Sequence, residues 1–143
     1  MQFQKTTEYA IHILHYMHNY PYKGDVLTVQ MISDALGLPH SAVMPIVTRL
    51  RKNGLVNVVH GRNGGYRLAK PASAISLYDV IWAVEGDKEH SNWIKAYREG
   101  QHKQEAEHSN LQDYFREVQA GLVEKLSSKS IADIELYPQK KVV

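Results

Sequence analysis

Residues Arg49 to Pro71 read RLRKNGLVNVVHGRNGGYRLAKP and are the most informative segment for the fold. It combines six Lys or Arg and no acidic residue with four glycines and a run rich in β-branched residues. Its Asn-Gly pair favours a tight type I′ turn, because both residue types tolerate positive φ. We therefore expect Leu55–Val59 and Tyr66–Leu68 to pair as a β-hairpin with Arg62 near its tip.

Three helices are predicted before this hairpin. Apolar residues recur at i, i+3, i+4 and i+7 in residues 5–19 and 41–53, which is the spacing of a helix with one buried face. Residues 28–36 form a short helix between them, and Gly37 ends it because glycine enters the left-handed region freely. Pro45 favours a third helix that begins at Ser41 or later, since an interior proline costs about 3 kcal/mol.

Two helices joined by a short turn and followed by a hairpin make a winged helix-turn-helix. Downstream, Ser76 is expected to cap a fourth helix, and residues 87–108 read as a polar loop. A long helix then starts at Ser109, where Gln112 completes a capping box, and Ser130–Ile134 add a last turn. The long helix has a continuous apolar face, which consists of Leu111, Tyr114, Phe115, Val118, Leu122 and Leu126.

The predicted fold is therefore mostly α, with a small β-hairpin wing and a long C-terminal helix. We divide the chain into a winged helix-turn-helix domain at residues 1–86, a possible effector loop at 87–108, and a dimerisation helix with a short tail at 109–137.

Composition excludes several classes of protein. The 143 residues contain no cysteine, so disulfides, thiolate metal sites and cysteine nucleophiles are excluded. No apolar run is long enough to span a membrane, and the first twenty residues do not resemble a signal peptide; a cytoplasmic protein is expected. The sequence has no phosphate loop and no His-Glu-x-x-His motif, and we expect no enzyme.

Charge is unevenly distributed along the chain. The 44 residues between Asp34 and Asp79 contain six Lys or Arg and no acid, whereas the remainder holds 11 bases and 15 acids. One basic face suggests nucleic acid as the partner, although chance clustering on a solvated face would give the same pattern.

The order of these motifs resembles the Rrf2 family of bacterial winged helix-turn-helix regulators. The segments TTEYAIHILHYM, ISDALGLPHSAVMPIVTRLRKNGLV, GRNGGYRLAKP and ISLYDVIWAVEG match it over roughly residues 1–86. The resemblance implies a homodimeric transcription factor, usually a repressor, whose C-terminal helix pairs the subunits. Many members hold an iron–sulfur cluster through three cysteines before that helix, and this chain has none there.

The third helix is expected to enter the major groove of double-stranded DNA. Thr48 would contact a base edge, Arg49 a guanine or a phosphate, and Arg62 a narrow minor groove. The full set of expected DNA contacts is Ser41, Thr48, Arg49, Arg51, Lys52, Arg62, Asn63, Arg67 and Lys70.

The histidines allow a second hypothesis. Glu8, His12 and His15 share one face of the first helix, and a nitrogen–oxygen metal site is chemically reasonable there. A solvated helix face is the simpler explanation, so no metal and no other cofactor is assigned, and any effector stays unidentified. The alternative function is a winged-helix protein-interaction module that does not bind DNA.

Overall fold

The computed structural model describes residues 4–20, 26–86 and 110–136. Within these ranges the chain forms five α-helices, one two-stranded antiparallel hairpin and two 3-10 helices, Ala72–Ala74 and Ile131–Asp133. The elements in chain order are α1 (Lys5–Asn19), α2 (Val29–Leu36), α3 (His40–Lys52), β1 (Val56–Val59), β2 (Gly65–Leu68), α4 (Leu77–Glu85) and α5 (Asn110–Ser127). The predicted mostly helical winged fold is confirmed.

The core lies where α1, α2, α3 and α4 meet. Each helix buries the apolar positions that its periodicity predicts, including Ile13 on α1, Ile32 on α2, Leu50 on α3 and Val80 on α4, all fully buried. Burying one such side chain contributes about 1.5 to 3 kcal/mol. The four helices therefore form one packed unit that holds the hairpin in place.

The hairpin pairs as predicted, but its turn differs from the expectation. Val56 pairs with Leu68 and Val59 with Gly65, which leaves a five-residue connection rather than a two-residue turn. Gly64 N donates to the Gly61 carbonyl at 3.0 Å, and neither Arg62 nor Asn63 has positive φ. The type I′ prediction is wrong, because the Asn-Gly pair lies at the end of a longer turn of the type I kind.

A segment before α2 extends the hairpin. Leu27 and Tyr66 exchange both backbone hydrogen bonds, at 2.8 and 2.7 Å, and form an isolated antiparallel bridge. This contact needs a glycine at position 65, because a Cβ there would lie 2.6 Å from the Leu27 carbonyl oxygen. The β2 edge of the wing is thus paired with the segment that leads into α2.

The chain after α5 returns to the first domain. Ile131 N donates to the Ile75 carbonyl at 2.9 Å, Leu77 N donates to the Lys129 carbonyl at 2.9 Å, and the Ile131 side chain is fully buried. The Asp133 carboxylate accepts from Ser130 N and from its hydroxyl, and these hydrogen bonds lower the pKa of Asp133. The predicted last turn is present, and it also contributes to the core.

Helix α5 contacts α4 but buries none of its own residues. Leu111, Tyr114, Phe115 and Val118 are each more than half exposed, while Leu122 and Leu126 nearer the C-terminus are half-buried. The helix begins at Asn110 among the described residues, so the predicted cap at Ser109 lies outside them.

Candidate nucleic-acid interface

Helices α2 and α3 are joined by a short, well-defined turn. The Thr28 hydroxyl accepts from Met31 N at 3.1 Å and caps the start of α2. Gly37 ends the helix in the left-handed region with φ of 63°, which a residue with a side chain adopts only at an energetic cost. This predicted Gly37 stop is confirmed, and it sets the direction in which α3 leaves.

Helix α3 presents a polar row on the side opposite its buried stripe. Ser41, Met44, Arg51 and Lys52 are exposed, and Thr48 is half-exposed. The Thr48 hydroxyl donates to the Met44 carbonyl at 2.9 Å, which leaves its oxygen lone pairs and its methyl group available to a partner. This row has the chemistry of a surface that contacts bases and phosphates.

The helix starts one residue earlier than expected, at His40, with Pro39 as its N-cap. Pro45 is therefore the sixth helical residue, and it lacks the N–H that would bond the Ser41 carbonyl. Both residues are exposed, so water can satisfy that carbonyl. The predicted start at Ser41 or later is therefore wrong by one residue, because the carbonyl that Pro45 leaves without a hydrogen bond belongs to an exposed residue near the start of the helix.

Arg49 lies apart from this outward row. Its Nη1 donates to the Val84 carbonyl at 2.6 Å, in a partly buried contact that joins α3 to the end of α4. A guanidinium held in this way supports the position of α3 rather than reaching a base. The sequence indicates only that Arg49 flanks the buried stripe, since its partner is a backbone atom 35 residues away.

The wing places its basic residues on one projecting loop and strand. Arg62 and Asn63 occupy the two central positions of the turn closed by Gly61 and Gly64, and both are exposed. Arg67 is exposed on β2 opposite Asn57, and Lys70 follows the strand, also exposed. The predicted position of Arg62 at the tip is confirmed.

These bases are not neutralised by neighbouring acids. On α1, Lys5 Nζ pairs with the Glu8 carboxylate at 2.9 Å, and its hydrogen bond to Glu8 raises the pKa of Lys5. The exposed bases of α3 and the wing, by contrast, have no ion-pair partner among residues 4–20, 26–86 and 110–136; they are Arg51, Lys52, Arg62, Arg67 and Lys70. A polyanion could approach all five.

A buried carboxylate joins α1 to α4. This contact was not predicted from the sequence. Glu85 is 1% exposed, and its Oε1 accepts from the Thr7 hydroxyl at 2.8 Å and from Gln4 N at 2.9 Å. These bonds place the carboxyl at the N-terminus of α1, where the helix dipole favours negative charge. A lone Glu at the end of a predicted helix gives no sequence signal of this contact.

The histidine face of α1 is not assembled as a metal site. Glu8 and His12 are exposed and His15 is half-buried. The Asn19 amide lies 3.1 Å from His15 Nε2, and Glu8 pairs with Lys5. Among the residues that the structure describes, no three His, Cys, Asp or Glu side chains are grouped to hold a metal ion.

The iron–sulfur cluster of many Rrf2 proteins does not fit this chain. Cysteine thiolates are the usual cluster ligands, and the chain contains no cysteine at any position. The residues 87–109, which include the expected effector loop, lie outside the described part of the structure. None of the described helices is both long and apolar enough to cross a membrane.

Solved structures share this architecture. IscR from T. potens is 22% identical, with a TM-score of 0.68 over 93% of this chain and 85% of that one. CymR, the global cysteine regulator of B. subtilis, is 19% identical, with a TM-score of 0.66 over 93% of this chain and 95% of that one. The oxidized form of Staphylococcus aureus CymR is 19% identical, with a TM-score of 0.66 over 98% and 100% of the two chains.

The sequence itself identifies the family. Residues 3–135 match the family described as Rrf2, iron-dependent transcriptional regulator, and this match spans most of the chain, from α1 to the segment after α5. The members of this family are transcriptional regulators and not enzymes. The chain belongs to the Rrf2 family of transcriptional regulators, as one that contains no cysteine to ligate a cluster.

Proposed function

We propose that the protein is a homodimeric, sequence-specific DNA-binding repressor. The observation that supports this most is the set of exposed bases on α3 and the wing, none of which has an ion-pair partner in the described ranges. Lys and Arg that neutralise phosphates provide most of the affinity of a protein for DNA. A solvated basic face of this shape, on this fold, fits a duplex.

Each part of the surface has a separate role in this proposal. Helix α3 enters the major groove, where Ser41 and Thr48 face base edges and Arg51 and Lys52 contact phosphates. Arg62 enters the adjacent minor groove, where a narrow groove strengthens the negative potential. Asn63, Arg67 and Lys70 contact the flanking backbone. Arg49 is assigned to the support of α3, because its guanidinium is bound to the Val84 carbonyl.

The dimer forms through α5. Leu111, Tyr114, Phe115 and Val118 are 53 to 61% exposed in the protomer, and apolar patches of this kind on a soluble chain mark interaction surfaces. A second copy of α5 would bury them and also Leu122 and Leu126. Two copies related by a two-fold axis would present two α3 helices to a palindromic site.

Repression follows from occupancy of such a site, because a dimer that covers a promoter excludes the polymerase. The resemblance to the family supports this direction of control. No cofactor is assigned, and the cytoplasm is the proposed location because the DNA is there.

The test uses duplex DNA from upstream of the protein's own gene. Fluorescence anisotropy measures the affinity of the protein for this duplex over a range of salt concentrations. We expect an affinity that falls steeply as salt increases, because phosphate contacts release counterions. Arg62→Ala should weaken DNA binding by about tenfold or more, because it removes one well-placed base or groove contact. The melting temperature of the protein should not change.

Lys129→Ala is the matched control, because Lys129 is exposed and lies beyond the end of α5, outside the set of residues proposed to contact DNA. It should bind DNA as the parent does. A parent protein that stays dimeric and binds no duplex would favour the protein-interaction module instead. Equal binding by the parent and Arg62→Ala would contradict the role of the wing.

A further inference from the structure

A cavity of about 160 Å³ lies between α1, α3 and the end of α4. Its walls include Thr6 and Tyr9 from α1, Ala42, Pro45 and Arg49 from α3, and Val84 from α4. Most of these side chains offer carbon atoms to the interior. A protein cavity of about 150 Å³ is large enough for a benzene ring, so this one has room for a small organic molecule.

Arg49 is the one charged residue among those that line the cavity. Its guanidinium carries five N–H donors, and within the described residues its hydrogen-bond partner is the Val84 carbonyl, bound through Nη1. The remaining donors match a carboxylate, which arginine binds through two parallel charge-assisted bonds. A cation beside apolar walls therefore selects a small carboxylate over a neutral molecule of the same shape.

The cavity also touches the contacts that fix α3. Arg49 bonds α3 to Val84, and the next residue, Glu85, bonds α4 to the start of α1 through Thr7. A carboxylate bound to the remaining donors competes with the Val84 carbonyl for the same guanidinium, and this competition would weaken the tie between α3 and α4. An occupant that binds one position of α3 better than the other shifts the equilibrium between them.

We propose that this cavity binds a small organic monocarboxylate whose apolar body is about the size of a benzene ring, and that its binding weakens the grip of α3 on DNA. The first half depends only on the cavity and Arg49. The second half rests on the proposed DNA-binding function, because it concerns the affinity of α3 for a duplex.

Binding is tested on the full-length protein without DNA, with benzoate as the probe and benzamide as its neutral isostere. Titration followed by NMR chemical shifts or calorimetry should show benzoate binding about tenfold more tightly than benzamide, because a charge-assisted bond is worth more than a neutral one. Equal binding of the two, or no binding of benzoate, would overturn the proposal.

Two variants fill the cavity from opposite walls. Thr6→Leu acts from α1 and Ala42→Leu from α3, so one of them remains informative if the other fails to fold. His12→Leu adds the same side chain to the exposed face of α1 and should bind benzoate as the parent does. If both folded cavity-filling variants keep the parent affinity, benzoate binds elsewhere and the site is wrong.

The regulatory half is tested by DNA affinity with and without saturating benzoate, at ionic strength matched with chloride. We expect DNA affinity to fall by about fivefold or more, within the usual range of allosteric coupling, in the parent but not in Thr6→Leu. An unchanged affinity in the parent would contradict regulation through this cavity. Benzoate binding by a protein that binds no duplex would instead contradict the DNA-binding function and leave the cavity assignment standing.

Discussion

Arg49 and Arg51 are two residues apart on α3 but lie in different surroundings. Arg49 is half-buried and holds the Val84 carbonyl, whereas Arg51 is exposed and has no ion-pair partner in the described ranges. The same residue type therefore serves structure at one position and, in our proposal, phosphate binding at the other. Substitution of each arginine should separate the two roles.

We expect Arg49→Ala to lower the free energy of unfolding by about 1 to 2 kcal/mol, since it removes a hydrogen bond from a charged donor. Arg51→Ala should leave stability unchanged within about 0.5 kcal/mol, as is usual for an exposed site. On DNA, Arg51→Ala should reduce the slope of log affinity against log salt by about 2, one phosphate contact from each subunit. Urea unfolding and salt-dependent anisotropy measure the two effects.

The opposite pattern would contradict this division. If Arg51→Ala unfolds the protein while Arg49→Ala alone alters the salt slope, the contacts of these two side chains in solution differ from those in the structure. Arg51→Lys provides a matched control, because it keeps the charge and should keep the slope.

At the scale of elements, the segment after α5 links the proposed dimer helix to the DNA-binding domain. Ile131 is fully buried in the core with Ile75, and backbone bonds to Ile75 and from Leu77 hold the segment in place. Movement of the C-terminal end of α5 would therefore strain the same core that supports α3. This segment is a structural connection between the two functions.

Ile131→Ala should destabilise the protein by about 2 to 5 kcal/mol, because it removes a buried side chain and leaves a cavity. Leu136→Ala is the control, since Leu136 is 39% exposed and its truncation should have a much smaller effect. Chemical denaturation followed by circular dichroism compares them. Equal small effects would mean that the segment does not contribute to the core in solution.

The helices and the hairpin could be predicted from the sequence because each has a local signal. The i, i+3, i+4 pattern, the Gly37 stop and the Ser76 cap lie within a few residues of the element they define. The Leu27 bridge and the Ile131 contact could not be predicted, because each is a short pairing between distant segments. The prediction of the turn type was wrong because Arg62 and Asn63, and not Asn63 and Gly64, occupy the two central positions of the turn.

Some features of the candidate site could also be predicted from the sequence, and others could not. The exposed bases of α3 and the wing follow from charge and periodicity, which the sequence displays. The Arg49 bond and the buried Glu85 depend on where α4 ends in space, and no local pattern gives that position. The cavity between α1, α3 and the end of α4 could not be predicted from the sequence for the same reason.

At the scale of the whole molecule, the protomer leaves an apolar face on α5 and a basic face on α3 and the wing. The apolar face is 53 to 61% exposed at its four large side chains, which a second copy would bury. In the dimer that we propose, the two α3 helices lie about 34 Å apart, which matches one turn of DNA. Dimerisation and DNA recognition are parts of one arrangement in this account.

The most direct measurement is a hydroxyl-radical footprint on the promoter of the protein's own gene, made with the parent and with Phe115→Asp. For the parent we expect two protected half-sites about one helical turn apart and sedimentation as a dimer. Phe115→Asp places a charge on the exposed apolar face; it should sediment as a folded monomer and lose the paired footprint. If the parent protects no DNA, our proposal of a DNA-binding dimer is contradicted. It is also contradicted if the parent sediments as a monomer and still gives the paired footprint.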